Sequence, residues 1–281
     1  MAVFGVYRED AWAHAPTLEI RGKLHGYRMA LDLTDRPDRT GYFLGRFYDL
    51  ATQLFISECV RPGDTFVDIG ANIGMITLLA ARLVGPEGTV EAFEPNPDVY
   101  RRLSHNVQCN MLNNVSLHAV GLSDKDADLT LRVWANNKGW GTFGTLGPDE
   151  LPLLSSEYQS RVLRGDDVLD IRPDAPVIIK IDVEGYECHV LRGLERTLRM
   201  HDAIVLTEVL ESTLRRAGSN THELFSIMRD HEYHPYTIEA PRRFLKNRLV
   251  MRPVSDEQCL PAPNVAWLRQ KGVHSKRLGC D

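Results

Sequence analysis

The sequence predicts an α/β protein built on a mostly parallel sheet with helices on both faces. Three observations carry this. Residues 64–77, Asp-Thr-Phe-Val-Asp-Ile-Gly-Ala-Asn-Ile-Gly-Met-Ile-Thr, read as a buried strand, a glycine turn and the start of a helix. Strand-like and helix-like stretches then alternate, at 89–94, 97–110, 115–120, 177–182, 186–199 and 203–208. Finally, 65–69 and 177–181 are β-branched and apolar almost throughout, the composition of central parallel strands covered on both faces.

Composition sets the outer limits. A chain of 281 residues with 43% apolar and 25% charged residues suits one large globular domain with a substantial core. Acids outnumber bases 38 to 33 and no basic run stands out, which argues against nucleic acid as a partner. No apolar segment reaches transmembrane length, so a membrane is not expected as a partner, and residues 1–10 lack a basic start followed by a long apolar core. Five cysteines (59, 109, 188, 259 and 280) form no C-x-x-C pair and are odd in number. That usage predicts a cytoplasmic, reducing setting, with Cys280 part of a tail.

In chain order, 17–24 and 27–33 read as two strands joined near His25-Gly26, residues 35–41 as a loop, and 42–60 as one helix with apolar residues at Phe43, Phe47, Leu50, Leu54 and Val60. Residues 1–60 form either a cap over the cofactor end of the sheet or a small sheet on the side of the core. The main domain is expected over 61–270. Pro97 starts a helix well, because proline tolerates the first turn. Residues 128–134 read as an extra strand and 161–169 as a strand returning to the sheet. Between them, 136–146 interleaves glycines with Trp140 and Phe143 and shows no period. It reads as a substrate loop carrying those two aromatics, with a β-hairpin covering the core as the alternative. Thr221 is the expected N-cap of a helix over 221–230, residues 233–239 and 248–251 the closing strands, 265–268 a last edge element, and 271–281 a frayed tail.

The chemistry gathers at predicted strand ends. Gly70 lets the chain turn sharply beside a ligand, and the helix that follows presents free N–H groups there. The spacing Gly70-x-x-x-Gly74 is not the G-x-G-x-x-G of dinucleotide sites. Asp68, just before the turn, would repel a pyrophosphate but suits an ammonium group. Glu94 ends the next strand, where a ribose diol is gripped. Two such acids favour a nucleoside cofactor without phosphates, and S-adenosylmethionine fits. A second centre is 177–187, where a buried strand ends in Asp182 and Glu184 follows; Glu208 ends the strand after that. These three acids form a candidate catalytic cluster, with His25 as a further candidate base. No ligand spacing demands a metal and none is assigned, although a divalent ion on the acids stays open.

D-I-G-A-N-I-G (68–74), E-P-N (94–96), Ser123-Asp124 and K-I-D-V-E-G-Y-E (180–187) together resemble the FkbM family of S-adenosylmethionine-dependent methyltransferases. The resemblance spans roughly residues 60–230. It implies a class I methyltransferase (Rossmann-like) fold with a seven-stranded sheet. The cofactor, leaving as S-adenosylhomocysteine, would be held by Asp68, Gly70, Ala71, Asn72, Gly74, Glu94, Pro95, Asn96 and Asp182, with Ser123 and Asp124 at the adenine. It also implies O-methylation of a small-molecule or glycan acceptor with a free hydroxyl, such as a sugar or polyketide. The alternatives are a dinucleotide enzyme, a non-catalytic cofactor-binding module and a nucleic-acid base methyltransferase. The missing third glycine, the acid cluster, and the lack of an Asn-Pro-Pro-aromatic sequence or basic stripe argue against them in turn.

Overall fold

The computed structural model describes residue 5 and residues 9–135, 137–171, 176–243, 246–255, 257, 260, 262–270 and 277–278. A short helix α1 (Glu9–Trp12) leads into an antiparallel ribbon, β1 (Thr17–Arg21) with β2 (Arg28–Asp32). Helix α2 (Arg36–Leu44) occupies the stretch expected to be a loop. Pro37 does not prevent this, because it stands in the first turn, where its missing N–H costs nothing. The expected 42–60 helix is in fact two. Gly45, in the left-handed region at φ 66°, ends α2, and the Asp49 carboxylate caps α3 (Leu50–Cys59) by accepting from the Thr52 N–H.

Then come β3 (Thr65–Ile69), α4 (Met75–Val84), β4 (Thr89–Phe93), α5 (Pro97–Gln108), β5 (Val115–His118) and β6 (Gly121–Ser123). Beyond them lie β7 (Ala127–Trp134), β8 (Asn137–Thr142), β9 (Leu154–Arg164) and α6 (Gly165–Val168). The chain continues through β10 (Val177–Ile181), α7 (Glu187–Gly193), α8 (Glu195–Met200), β11 (Ala203–Glu208), α9 (Glu211–Arg216) and α10 (Thr221–Asp230). It closes with β12 (Tyr233–Glu239), a ribbon of β13 (Arg242–Arg243) and β14 (Lys246–Asn247), β15 (Val250–Pro253) and β16 (Asn264–Arg269).

The main sheet has eight strands rather than seven, in the order β15-β12-β16-β11-β10-β3-β4-β5. The run β11-β10-β3-β4-β5 is parallel, and β16, β12 and β15 add antiparallel pairs at one side. Strand β16 is not the expected edge: it is inserted between β11 and β12, and β15 takes the edge. Period-two alternation sorts the central strands onto two faces. Val67, Ile69, Ile179 and Ile181 pack with α7–α10, and Phe66 and Ile178 with α3 and α4.

A second, four-stranded sheet, β6-β9-β7-β8, was not foreseen. Most of 136–146 belongs to it as β8, paired antiparallel with β7, so the hairpin alternative holds here rather than the free loop; Asn136 lies outside the described residues. Residues 161–164 end β9 in this sheet instead of returning to the main one. The predicted 186–199 helix breaks at Leu194 into α7 and α8, and Asn220, not Thr221, caps α10 by accepting from the Glu223 N–H. The N-terminal segment divides between its two predicted roles. The ribbon packs on the helical layer, Met29 and Leu31 joining Met75, Leu78 and Val99, while Phe47 and Tyr48 reach the open ends of the strands. Residues 271–276 and 279–281, Cys280 among them, lie outside the described residues, as does Cys259. Arg277 is anchored, not frayed: it pairs with Asp64 at 2.7 Å.

Interior placement of β16 makes Trp267 a core residue. It is fully buried, donates its Nε1–H to Thr207 Oγ1 at 2.9 Å and meets Phe225 edge-on. Trp267→Ala is expected to cost ~3–5 kcal/mol in urea unfolding. A loss below about 1 kcal/mol would return the strand to an edge.

Candidate active site

The carboxyl ends of β3, β4 and β10 open into one cleft of about 1140 Å³, its open mouth included. That is where ligands of open α/β sheets bind. Ile69–Ile73 forms its floor, Glu94–Asn96 one wall, and Asp182–Glu184 another. Gly70 (φ 78°) is required twice over. Its backbone is in the left-handed region, and an added Cβ would overlap the carbonyl oxygen of Asp182.

Asp68 does not line the cleft. It is fully buried and directly opposite Lys180 in the β3–β10 register. Its Oδ2 accepts from Thr77 Oγ1 at 2.6 Å and its Oδ1 lies 3.4 Å from Lys180 Nζ. The same ammonium is 3.5 Å from Asp182 Oδ2 and donates to the Gly70 carbonyl at 3.0 Å. Burial opposes the charge on Lys180, but the Asp182 and Asp68 carboxylates outweigh it and hold its pKa above the ordinary value. Lys180 is thus the central residue that the sequence reading overlooked, although it opens the motif at 180–187.

Glu94 does stand in the cleft wall. Its two oxygens accept from the backbone N–H groups of Asn72 and Asn96, each at 2.9 Å. Burial pushes its pKa up to about 7 against those two hydrogen bonds. Asn72 and Asn96 in turn donate their side-chain amides to the carbonyls of Gly139 and Lys138 on β8, at 3.4 and 3.3 Å. Lys138 reaches Asp32 and Thr34 and donates its N–H to Asp35. Strand β8 therefore lies across the cleft, tied both to the cofactor turns and to the N-terminal segment.

Ser123 and Asp124 are not among the residues lining the cleft. They hydrogen-bond each other at 3.0 Å, and the helix α7 packs so closely that a Cβ on Gly193 would overlap Ser123 O. The wall at that end is Gly121, Leu122, Phe93, Phe143 and Tyr186, a flat apolar slot with Phe143 set edge-on to Tyr186 at 5.4 Å. Both aromatics of the predicted substrate loop line the cleft. Phe143 joins this slot, while Trp140 packs on Trp134 with ring centroids 5.2 Å apart. Period analysis missed the slot because its residues come from four different elements.

Asp182, Glu184 and Glu208 do converge: one carboxylate oxygen from each lies within 4.8 Å of the others. Three oxygens so placed can share a divalent cation or receive a hydroxyl proton. Burial and the Asp182 charge push Glu184 up to about 8, and burial with the Asp182 and Glu184 charges pushes Glu208 up to about 9. Glu184 is held at φ 54°, an uncommon conformation that Gly185 beside it shares. His25 stands apart. Its ring packs over Gly22 in its own hairpin, its Nδ1 accepts from the Tyr27 N–H, and burial lowers its pKa to about 4. It is not among the residues lining the cleft.

Sheet order, the glycine turn and the strand-end acids define a class I methyltransferase fold with its cleft at the carboxyl ends of β3, β4 and β10. Residues 68–235 match the methyltransferase FkbM domain model, and the chain belongs to that family. It is 33% identical over 165 residues to Methyltransferase 1 of Beauveria bassiana, covering 51% of this chain and 65% of that one. With 31-O-demethyl-FK506 methyltransferase FkbM of Streptomyces tacrolimicus it shares 31% over 177 residues, 52% of this chain and 68% of the relative. Hexuronic acid methyltransferase AglP of Haloferax volcanii is 29% identical over 158 residues, 53% and 57% of the two chains. The matches thus span between about half and two thirds of these relatives. No helix among the described residues is long and apolar enough to cross a membrane.

The acid cluster makes stability depend on pH. Glu184 and Glu208 keep protons in the folded state that an unfolded glutamate loses near pH 4.5, so their contribution falls as pH rises from there through about 9. Glu208→Gln removes part of that loss. Its melting temperature is expected to gain on wild type by about 2–4 °C between pH 6 and pH 9, equivalent to ~1 kcal/mol. A difference that stays constant with pH would place Glu208 in solvent.

Proposed function

We propose that this protein transfers a methyl group from S-adenosylmethionine to a hydroxyl of a small-molecule or glycan acceptor. The observation that carries this reading is the convergence of Asp182, Glu184 and Glu208 at the edge of a cleft fitted to a nucleoside. The fit rests on the donor set. Glu94 offers carboxylate lone pairs for a ribose diol, the Gly121–Tyr186 slot suits a purine, and Lys180, a cation in the wall, is engaged by Asp68 and Asp182 and so is not free for phosphate. When bound, S-adenosylmethionine supplies an electrophilic methyl group.

The chain's own work is positioning and proton removal. Strand β8 and the N-terminal segment cover the cleft and restrict water. Asp182 is the group we assign to orient and deprotonate the acceptor hydroxyl, a role worth ~10²–10⁴-fold in rate. Lys180 holds its carboxylate in place. Glu184 and Glu208, whose raised pKa values keep them protonated near neutral pH, stand beside Asp182 as hydrogen-bond donors. Two named relatives, an FK506-precursor methyltransferase and a hexuronic acid methyltransferase, are consistent with hydroxyl or sugar acceptors.

Calorimetric titration is expected to show binding of S-adenosylhomocysteine and none of NAD; the reverse would sink the proposal. Glu94→Ala is expected to weaken that binding by ~1–3 kcal/mol, through loss of a charged acceptor. In Asp182→Asn, turnover should fall ~10²-fold or more while product affinity changes little. A parallel fall in both would make Asp182 a cofactor ligand, and normal values of both would remove it from the site.

A further inference from the structure

On the far side of Asp182 from the glycine turn lies a groove that the cofactor reading does not use. Phe47, Tyr48 and Asp49, from the link between α2 and α3, form one bank. Glu239–Pro241 at the end of β12 and residues 262–264 at the start of β16 form the other, with Asp182 and Glu208 also lining the groove. Phe47, Tyr48 and Asp182 also line the cofactor cleft, so the two spaces meet at the proposed base. We infer, resting on the methyltransferase reading, that the acceptor reaches Asp182 through this groove, which admits an uncharged hydroxyl-bearing molecule in preference to its carboxylated or phosphorylated counterpart.

Three features support this. Continuity comes first, because an acceptor lying here brings a hydroxyl to Asp182 from the side opposite the glycine turn. Next, Phe47 and Tyr48 pack ring to ring at 4.3 Å, and Tyr48 remains 53% exposed, leaving a ring for the C–H face of a saccharide-like body. The third is charge. Among the described residues lining the groove, the ionisable ones other than Tyr48 are Asp49, Asp182, Glu208 and Glu239, with no lysine, arginine or histidine. Arg252 pairs with Glu239, Lys180 with Asp68 and Asp182, and Arg46 donates to the Phe47 and Tyr48 carbonyls. Asp49 is itself held by Thr52 and by the Asn264 amide at 2.6 Å, so Asn264 is fixed in the wall. An anion entering would meet the carboxylates of Asp49, Asp182 and Glu239 with no cation among the described lining residues, whereas neutral hydroxyls can donate to them.

The test uses the full chain saturated with S-adenosylhomocysteine, whose binding is confirmed first by calorimetry. Saturation-transfer NMR is then recorded with the methyl glycosides of glucose, galactose and mannose and with the corresponding methyl uronides. At least one neutral glycoside is expected to receive saturation, with its uronide at least about tenfold weaker at low salt and less disfavoured in 0.5 M NaCl. Glu239→Lys, a groove residue outside the cofactor cleft, should leave product affinity unchanged and erase the discrimination. Equal signals from glycoside and uronide in wild type, no signal from any neutral glycoside, or discrimination unchanged in Glu239→Lys would each overturn the groove proposal while product binding stands. Loss of product binding itself would overturn the underlying methyltransferase reading as well.

Discussion

The site depends on a buried ion pair between Asp68 of β3 and Lys180 of β10, which face each other across two central parallel strands. A charge at either position alone would be prohibitive in a layer where Phe66 and Ile178 are its neighbours on the same face. Together, with Thr77 closing one carboxylate oxygen, they are tolerated. The pairing does more than neutralise charge. Lys180 also holds the Gly70 carbonyl and faces Asp182, so one ammonium links the cofactor turn to the acid at the end of the neighbouring strand. The close approach of Gly70 to the Asp182 carbonyl, possible only without a Cβ, is the steric half of the same link.

Around that link the molecule arranges two kinds of acid. Glu94 is satisfied by backbone N–H groups from both cofactor turns, which fixes its direction. Glu184 and Glu208 have raised pKa values because burial disfavours their charged forms and the nearby Asp182 carboxylate repels a further negative charge. The first arrangement suits holding a ligand, and the second keeps protonated carboxyls beside Asp182.

The second sheet supplies the cover. Strand β8 is tied at Gly139 and Lys138 to the asparagines of the two cofactor turns, and at Lys138 to Asp32, Thr34 and Asp35. Three segments far apart in sequence thereby close over one cleft. Trp140 of the same strand packs on Trp134, and Thr142 donates its hydroxyl to the Glu184 carbonyl beside the acid cluster.

Much of this was legible in the sequence. The central strands announce themselves because burial on both faces demands unbroken apolar, β-branched runs, as at 65–69 and 177–181. Asp182, Glu184 and Glu208 could be grouped because strand ends of a parallel sheet fall on one side of the molecule. Local chemistry misled where a residue's partner lies elsewhere in the chain. Asp68 looked like a ligand group, but only the β3–β10 register shows that its partner is Lys180, 112 positions later. Residues 136–146 could be read either as a free loop or as a hairpin because a strand covering a cleft needs neither regular alternation nor a continuous apolar face. β16 looked like an edge because insertion between β11 and β12 is a matter of topology, not composition. Periodicity reports which residues are buried, and local signals report where the chain turns. Which buried residue meets which is decided by the register of strands brought together from distant parts of the chain.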